Sequence, residues 1–220
     1  MQLHQVYDLS LAVRMVNDNR GAAHLVTNDH YSDHTARIFI LTGPNQGGKT
    51  TFLRSVGIAQ VLFQAGCFVP AKSAALSPVD YIFTHFQEKE VLGVKKGRLG
   101  EEAARIARIF NHVTEYSLIL LNETFSSAQR VDGYHLGRDV LKAMMRLRCQ
   151  GIFVTHVTEL AQDAELLNEE IPDGSRLVNL MAGVIDWMAR AFAVKGHIRF
   201  SVLQHRPVWV TRGILRLNMA

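Results

Sequence analysis

Apolar positions along the chain follow two patterns that alternate. Residues 37–42, 117–121 and 151–155 are short, nearly continuous apolar runs, the signature of strands covered on both faces of a parallel sheet. Between and after them, apolar residues recur at helical spacing. Phe52, Val56, Ala59, Leu62 and Phe63 do so within 51–65, ended by Gly66, and Ala103, Ile106, Ala107, Ile109, Phe110 and Val113 do so from Gly100 onward. Leu136, Val140, Leu141, Met144, Met145 and Leu147 follow a cap at Asp132-Gly133, and 157–168 reads as one more helix. Glu101, Glu102, Arg105 and Arg108 are predicted to face outward. Shorter strands are expected at 24–26, 67–70 and 78–86, and residues 176–184 and 197–203 as the two strands of a C-terminal β-hairpin. The sum is an α/β fold, a mostly parallel central sheet flanked by helices, with its chemistry at the carboxyl ends of the strands.

Composition narrows the picture without redirecting it. The chain has 220 residues, 48% hydrophobic and 20% charged, which suits one core-bearing domain. No apolar run reaches membrane-spanning length, and the first ten residues lack a signal peptide's features. Two cysteines, Cys67 and Cys149, make no disulfide framework, so a reduced, cytoplasmic protein is expected. The formal charge of +4 comes from scattered lysines and arginines, which permits nucleic-acid contact without arguing for it. Three segments result: a lead-in at 1–36 that opens on an apolar stretch and is turn-rich over 17–33, a main domain at 37–205, and a tail at 206–220 with no periodicity. The lead-in reads as the end of something longer, and the chain as a fragment or a shortened copy.

The chemistry concentrates behind the first core strand. Gly43-Pro44-Asn45-Gln46-Gly47-Gly48-Lys49-Thr50 fits G-x-x-x-x-G-K-[ST], between a predicted strand and a predicted helix, where a phosphate-binding loop belongs. Glycines let successive backbone N–H groups turn toward a phosphate, and the helix N-terminus adds its positive end. Lys49 would reach the β- and γ-phosphates of ATP, Thr50 would ligate Mg2+, and Thr51 continues the loop into the helix. A second group follows the strand at 117–121. Glu123 is placed to orient an attacking water, whereas Asn122 keeps an acceptor oxygen but lacks the charge of an aspartate at a magnesium-binding position. His156 ends the next strand and is placed to contact a γ-phosphate or the water. Tyr7, His24 and Leu25 are candidates to stack on the base. Lys95-Lys96-Gly97-Arg98 is either a solvated loop or a glycine-plus-cation helix start offered to a phosphate on a second subunit. No N-K-x-D guanine signature and no arginine-rich lid is found, which speaks against a GTPase or a small-molecule kinase.

Together these residues resemble the C-terminal ATPase domain of the MutS family, DNA mismatch-repair ATPases of the ABC class. The matching stretches are Leu41-Thr42-Gly43-Pro44-Asn45-Gln46-Gly47-Gly48-Lys49-Thr50-Thr51, Val69-Pro70-Ala71, Asp80-Tyr81-Ile82-Phe83-Thr84 and Thr114-Glu115-Tyr116-Ser117-Leu118. Glu123, Asp132-Gly133 and Thr155-His156-Val157-Thr158-Glu159-Leu160 complete them. The resemblance covers about 37–162. It implies a P-loop fold of the ABC type, ATP and Mg2+ as ligands, and a head-to-tail dimer with nucleotide at the interface. One subunit supplies Lys49, Thr50, Glu123 and His156, and the other presents Lys96, Gly97 and Arg98. Double-stranded DNA is held through domains not in this chain. The chain departs from the family at three places: serine is absent from the trans segment, Asn122 replaces aspartate, and Phe125-Ser126-Ser127 replaces a glycine-rich turn. These departures resemble a divergent MutS-related branch. They leave two functions open, an ATPase that drives a DNA-clamping machine or a nucleotide-binding switch with little or no hydrolysis.

Overall fold

A computed structural model of the chain describes residues 1–18, 25–86, 98–184 and 198–202. Its centre is a six-stranded sheet of order β5-β6-β7-β3-β8-β9. The strands are β3 (Ala36–Thr42), β5 (Ile82–Phe86), β6 (Leu118–Asn122), β7 (Gln150–Val154), β8 (Arg176–Val184) and β9 (Ile198–Val202). The first five in that order run parallel, and β9 returns antiparallel on β8, with Leu180 opposite Val202. The mostly parallel sheet and the terminal hairpin expected from the apolar runs are therefore both present.

Alternation along each strand divides the core in two. Ile38, Ile40, Ile119, Leu121, Phe153 and Leu177 face one side and pack under α3 (Arg98–Phe110), α4 (Arg130–Leu147), α5 (Thr158–Gln162) and α6 (Ala164–Glu170). Phe39, Leu41, Leu118, Leu120, Ile152 and Val154 face the other side, against Phe52, Leu53, Val56 and Ala59 of α2 (Lys49–Gln64). Strands buried on both faces cannot carry a polar face, which is why these runs are apolar throughout. On the second face sits a small antiparallel sheet of order β2-β1-β4, from β1 (Gln2–Val6), β2 (Asn28–Tyr31) and β4 (Ser73–Ala75). Leu3 and Val6 of β1 join the α2-side core. Among the described residues the lead-in also holds α1 (Leu9–Asn17), capped by the Asp8 carboxylate, which accepts from the Leu11 N–H at 2.9 Å.

The middle of the sheet tolerates little extra volume. A Cβ added at Gly151 would lie 2.7 Å from the Ile119 carbonyl oxygen and would also overlap the Met144 methyl. The carbonyl belongs to the neighbouring strand and cannot swing away. Gly151→Ala is expected to cost about 1–3 kcal/mol through overpacking, read as a lowered urea midpoint with unchanged slope. An unchanged midpoint would contradict this packing.

Several local expectations need correction. Residues 25–27 are irregular and the strand lies at β2 instead, where pairing with β1 rather than local apolarity selects it. Residues 67–70 form no strand: the Cys67 N–H donates to the Leu62 carbonyl and the Gly66 N–H (φ 71) to the Phe63 carbonyl, which closes the end of α2. The strand here is β4, three residues further on, which pairs with the other side of β1. The strand expected at 78–86 is confined to β5. The helix expected at 157–168 is two helices that share Asp163 as the last cap of one and the first of the other. Helix α4 starts at Arg130 with Gln129 at its N-cap, so Asp132 lies in the first turn rather than capping it. Helix α3 starts at Arg98, Ala107 on it is exposed, and Cys67 is exposed while Cys149 is buried. Burial pushes the Cys149 thiol up to about 12, which leaves it inert as a nucleophile.

Among the described residues no helix is long and apolar enough to cross a membrane.

Candidate functional site

The loop between β3 and α2 is built from residues that accept left-handed backbone. Gly43 has φ 136, Gln46 φ 61 and Gly48 φ 70. Gly43 is also pinned sterically, because an added Cβ would lie 2.7 Å from both the Cβ and the carbonyl oxygen of Ala182 on β8. The Gly47 N–H donates to the Pro44 carbonyl at 3.1 Å and closes the turn, leaving Pro44, Asn45 and Gln46 exposed. Gly48 is the N-cap of α2, and no side chain caps that end. Helix N–H groups without a side-chain cap need another acceptor, and an anion is the strongest available.

Lys49 is only 3% exposed and folds back, donating from Nζ to the Gly43 and Pro44 carbonyls at 2.9 Å each. Burial pushes its ammonium below the ordinary lysine range, while the Glu123 carboxylate pulls the other way. The Thr50 hydroxyl donates to Asn122 Oδ1 at 2.9 Å, which ties the start of α2 to the end of β6. Glu123 follows with φ 54, its N–H donating to the Val154 carbonyl at 2.9 Å, and its Oε1 lies 2.7 Å from Nε2 of His156 beyond β7. Lys49, Thr50, Asn122, Glu123 and His156 thus converge at the carboxyl ends of β3, β6 and β7, as the sequence order implied. The other candidates divide. Thr51 is half-buried on α2, Leu25 is half-buried ahead of β2, and Tyr7 is half-buried with its N–H on the Pro70 carbonyl. Arg98 opens α3, whereas His24, Lys96 and Gly97 lie outside the described residues.

One participant was misplaced. Glu102 was expected to face solvent, but its side chain is only 9% exposed. Its Oε1 lies 2.9 Å from His85 Nε2 and accepts the Phe125 N–H at 3.0 Å. Burial works to raise the Glu102 carboxyl, yet the bonds from His85 and Phe125 hold it below the usual carboxylate range. Helical periodicity assigns a charged residue outward, and only the pairing of β5 with β6, which sets His85 beside Leu121, reveals the buried partner. Phe125 itself is 3% exposed with φ 62, so two left-handed residues without a glycine's freedom flank Thr124. Each costs roughly 1–2 kcal/mol and persists only where surrounding contacts enforce it.

Among the described residues no group of three or more His, Cys, Asp or Glu side chains converges on a point where a metal could be held by protein alone. A divalent ion here would draw on the Thr50 hydroxyl and the Asn122 carbonyl together with oxygens of a bound ligand, the mode magnesium prefers.

The class is thus an α/β domain with a five-stranded parallel core, a hairpin edge and a polar cluster at its carboxyl end. The family model for MutS domain V matches residues 39–177. DNA mismatch repair protein MutS of Petrotoga mobilis is 33% identical over 159 residues, covering 72% of this chain and 20% of that protein. The protein of that name from Fervidobacterium nodosum is 33% identical over 172 residues, 73% of this chain and 21% of the relative. That from Leptospira interrogans is 39% identical over 144 residues, 64% and 17% respectively. The chain belongs to the MutS family, as its domain V. It spans about a fifth of the length of the curated relatives it matches.

Proposed function

We propose that this domain, a P-loop unit of the ABC type, binds ATP and hydrolyses it, and that in a MutS-like mismatch-repair protein its nucleotide state is coupled to DNA binding. The observation that carries the reading is the meeting of Lys49 and Thr50 with Asn122, Glu123 and His156 at one edge of the sheet. Residues 43–51 cradle the phosphates through backbone N–H groups, and Lys49 exchanges its two carbonyl partners for phosphate oxygens. Glu123, oriented by His156, accepts a proton from the attacking water. Thr50 and Asn122 would hold magnesium, which when bound would supply positive charge beside the developing negative charge. The segment at 96–98 is offered to the nucleotide of a second copy or a MutS-like partner, so the complete site is a dimer's. Contact with double-stranded DNA belongs to parts of the relatives outside the matched fifth. Segment 37–205 is the ATPase domain, and the protein works in the cytoplasm.

Asn122 sets the expected weakness. A missing unit charge at about 4 Å is worth roughly 1–4 kcal/mol per ligand charge in wet or surface-like dielectric. Phosphate release measured across a magnesium titration tests the function. The chain turns over slowly, and Asn122→Asp lowers the magnesium midpoint by about tenfold and raises the rate. Equal midpoints and rates would remove the argument from charge. ATP binding with no phosphate release at any magnesium concentration would make the domain a switch rather than an ATPase.

A further inference from the structure

We propose that Glu102 is the positioning residue for the loop that carries Glu123, so that one buried carboxylate mechanically joins the start of α3 to the water-orienting group. The inference rests on the ATPase reading for its consequence, though not for its geometry. Glu102 Oε1 is shared between His85 Nε2 at 2.9 Å, on the edge strand β5, and the Phe125 N–H at 3.0 Å. Phe125 stands two residues after Glu123. Backbone bonds within the loop and to β7 also hold it: Glu123 N–H to Val154, Ser126 N–H to Glu123, Ala128 N–H to Phe125. Glu102 is the anchor that reaches it from α3.

The anchor matters because the loop does not hold its shape through backbone preference. Glu123 (φ 54) and Phe125 (φ 62) are both left-handed without being glycine. Such residues relax when an enforcing contact is lost, and a shift at Phe125 turns the Glu123 side chain away from His156. At the other end, Glu102 lies one helical turn from Arg98, the first residue of α3. A movement of the start of α3 therefore reaches the Glu123 loop through the Glu102 side chain.

The test uses the full chain with Glu102→Ala and Glu102→Gln. Glutamine retains an acceptor oxygen for the Phe125 N–H and serves as the conservative rescue, and it preserves the shape if alanine impairs folding. ATP affinity is measured by calorimetry, phosphate release at saturating ATP, and backbone amide resonances by nitrogen–proton correlation spectroscopy. In Glu102→Ala the rate falls about tenfold or more, as expected of a misplaced reacting group, while ATP affinity stays within about twofold. The amides of 123–126 shift and broaden while those of 49–51 do not, and Glu102→Gln recovers most of both effects. Unmoved 123–126 amides with an unchanged rate would overturn the proposal. So would shifts spread across the whole sheet with lost ATP affinity, since that pattern is a folding defect. If the unaltered chain shows no turnover yet the 123–126 amides respond as described, the hydrolysis reading fails and the positioning link stands.

Discussion

Glu123→Gln leaves ATP affinity within about twofold and lowers phosphate release at saturating ATP by about 10²–10⁴-fold, the range that general-base removal produces. The substitution is nearly isosteric, and Gln tolerates the φ of 54 about as well as Glu does. What it removes is the charged acceptor 2.7 Å from His156 Nε2 and with it the only carboxylate of the converging group. The backbone bond to the Val154 carbonyl remains, so the melting temperature should hardly move. Rates within about twofold of the unaltered chain would mean that another group prepares the water and that Glu123 is a strand-end surface residue.

Lys49→Ala acts on the other half of the site. Charge-assisted hydrogen bonds contribute about 1.5–3 kcal/mol each, and an ammonium shared between two phosphate groups should contribute about 3 kcal/mol or more in this half-enclosed position. That corresponds to a Kd for ATP raised at least about 100-fold. Alanine also leaves the Gly43 and Pro44 carbonyls without their donor, so a stability loss of about 1 kcal/mol or more accompanies the effect. Affinity must therefore be measured well below the variant's melting temperature. A Kd within about threefold of the unaltered chain would show that the loop is an ordinary glycine-rich turn.

The parts legible in the sequence are those whose physics is local. Residues 118–121 are apolar at every position because both faces of β6 are covered, and that leaves one reading. Gly43 and Gly48 announce backbone that other residues avoid, and Lys49-Thr50 follow at fixed reach. The convergence of Asn122 and His156 on that loop was readable because parallel strands align their carboxyl ends. Parts set by distant pairing were not legible. The strand at Asn28–Tyr31 opens Asn-Asp-His and exists because β1 pairs with it; those three residues signal a turn rather than a strand. The run at 67–70 looks extended but forms no strand, its first N–H being taken by the Leu62 carbonyl at the end of α2. Glu102 was missed for the deepest reason: a charged residue on an amphipathic helix is ordinarily solvated. Its burial depends on a histidine 17 residues earlier and a backbone N–H 23 residues later.

An ordered set of ion pairs along α4 shows the same limit. Arg130, Arg138 and Lys142 pair with Glu159 on α5 and Glu170 on α6, and the Tyr134 hydroxyl, at the same four-residue spacing, donates to Asp163 between the two helices. The i, i+4 spacing is visible in the sequence, but its partners lie on two short helices that read as one. The break at Asp163 brings both helices within reach of a single face of α4. That face leaves α4 free to bury Val140, Leu141, Met144 and Met145 under the sheet that carries the site.

The central claim is that backbone N–H groups of 43–50 and the Lys49 ammonium hold a triphosphate. Calorimetric titration of ATP with magnesium into the folded chain tests it most directly, run beside Lys49→Ala. Saturable heat at one site per chain, lost in the variant, is the expected result; no heat from well-folded protein, or identical heat from both, would contradict it.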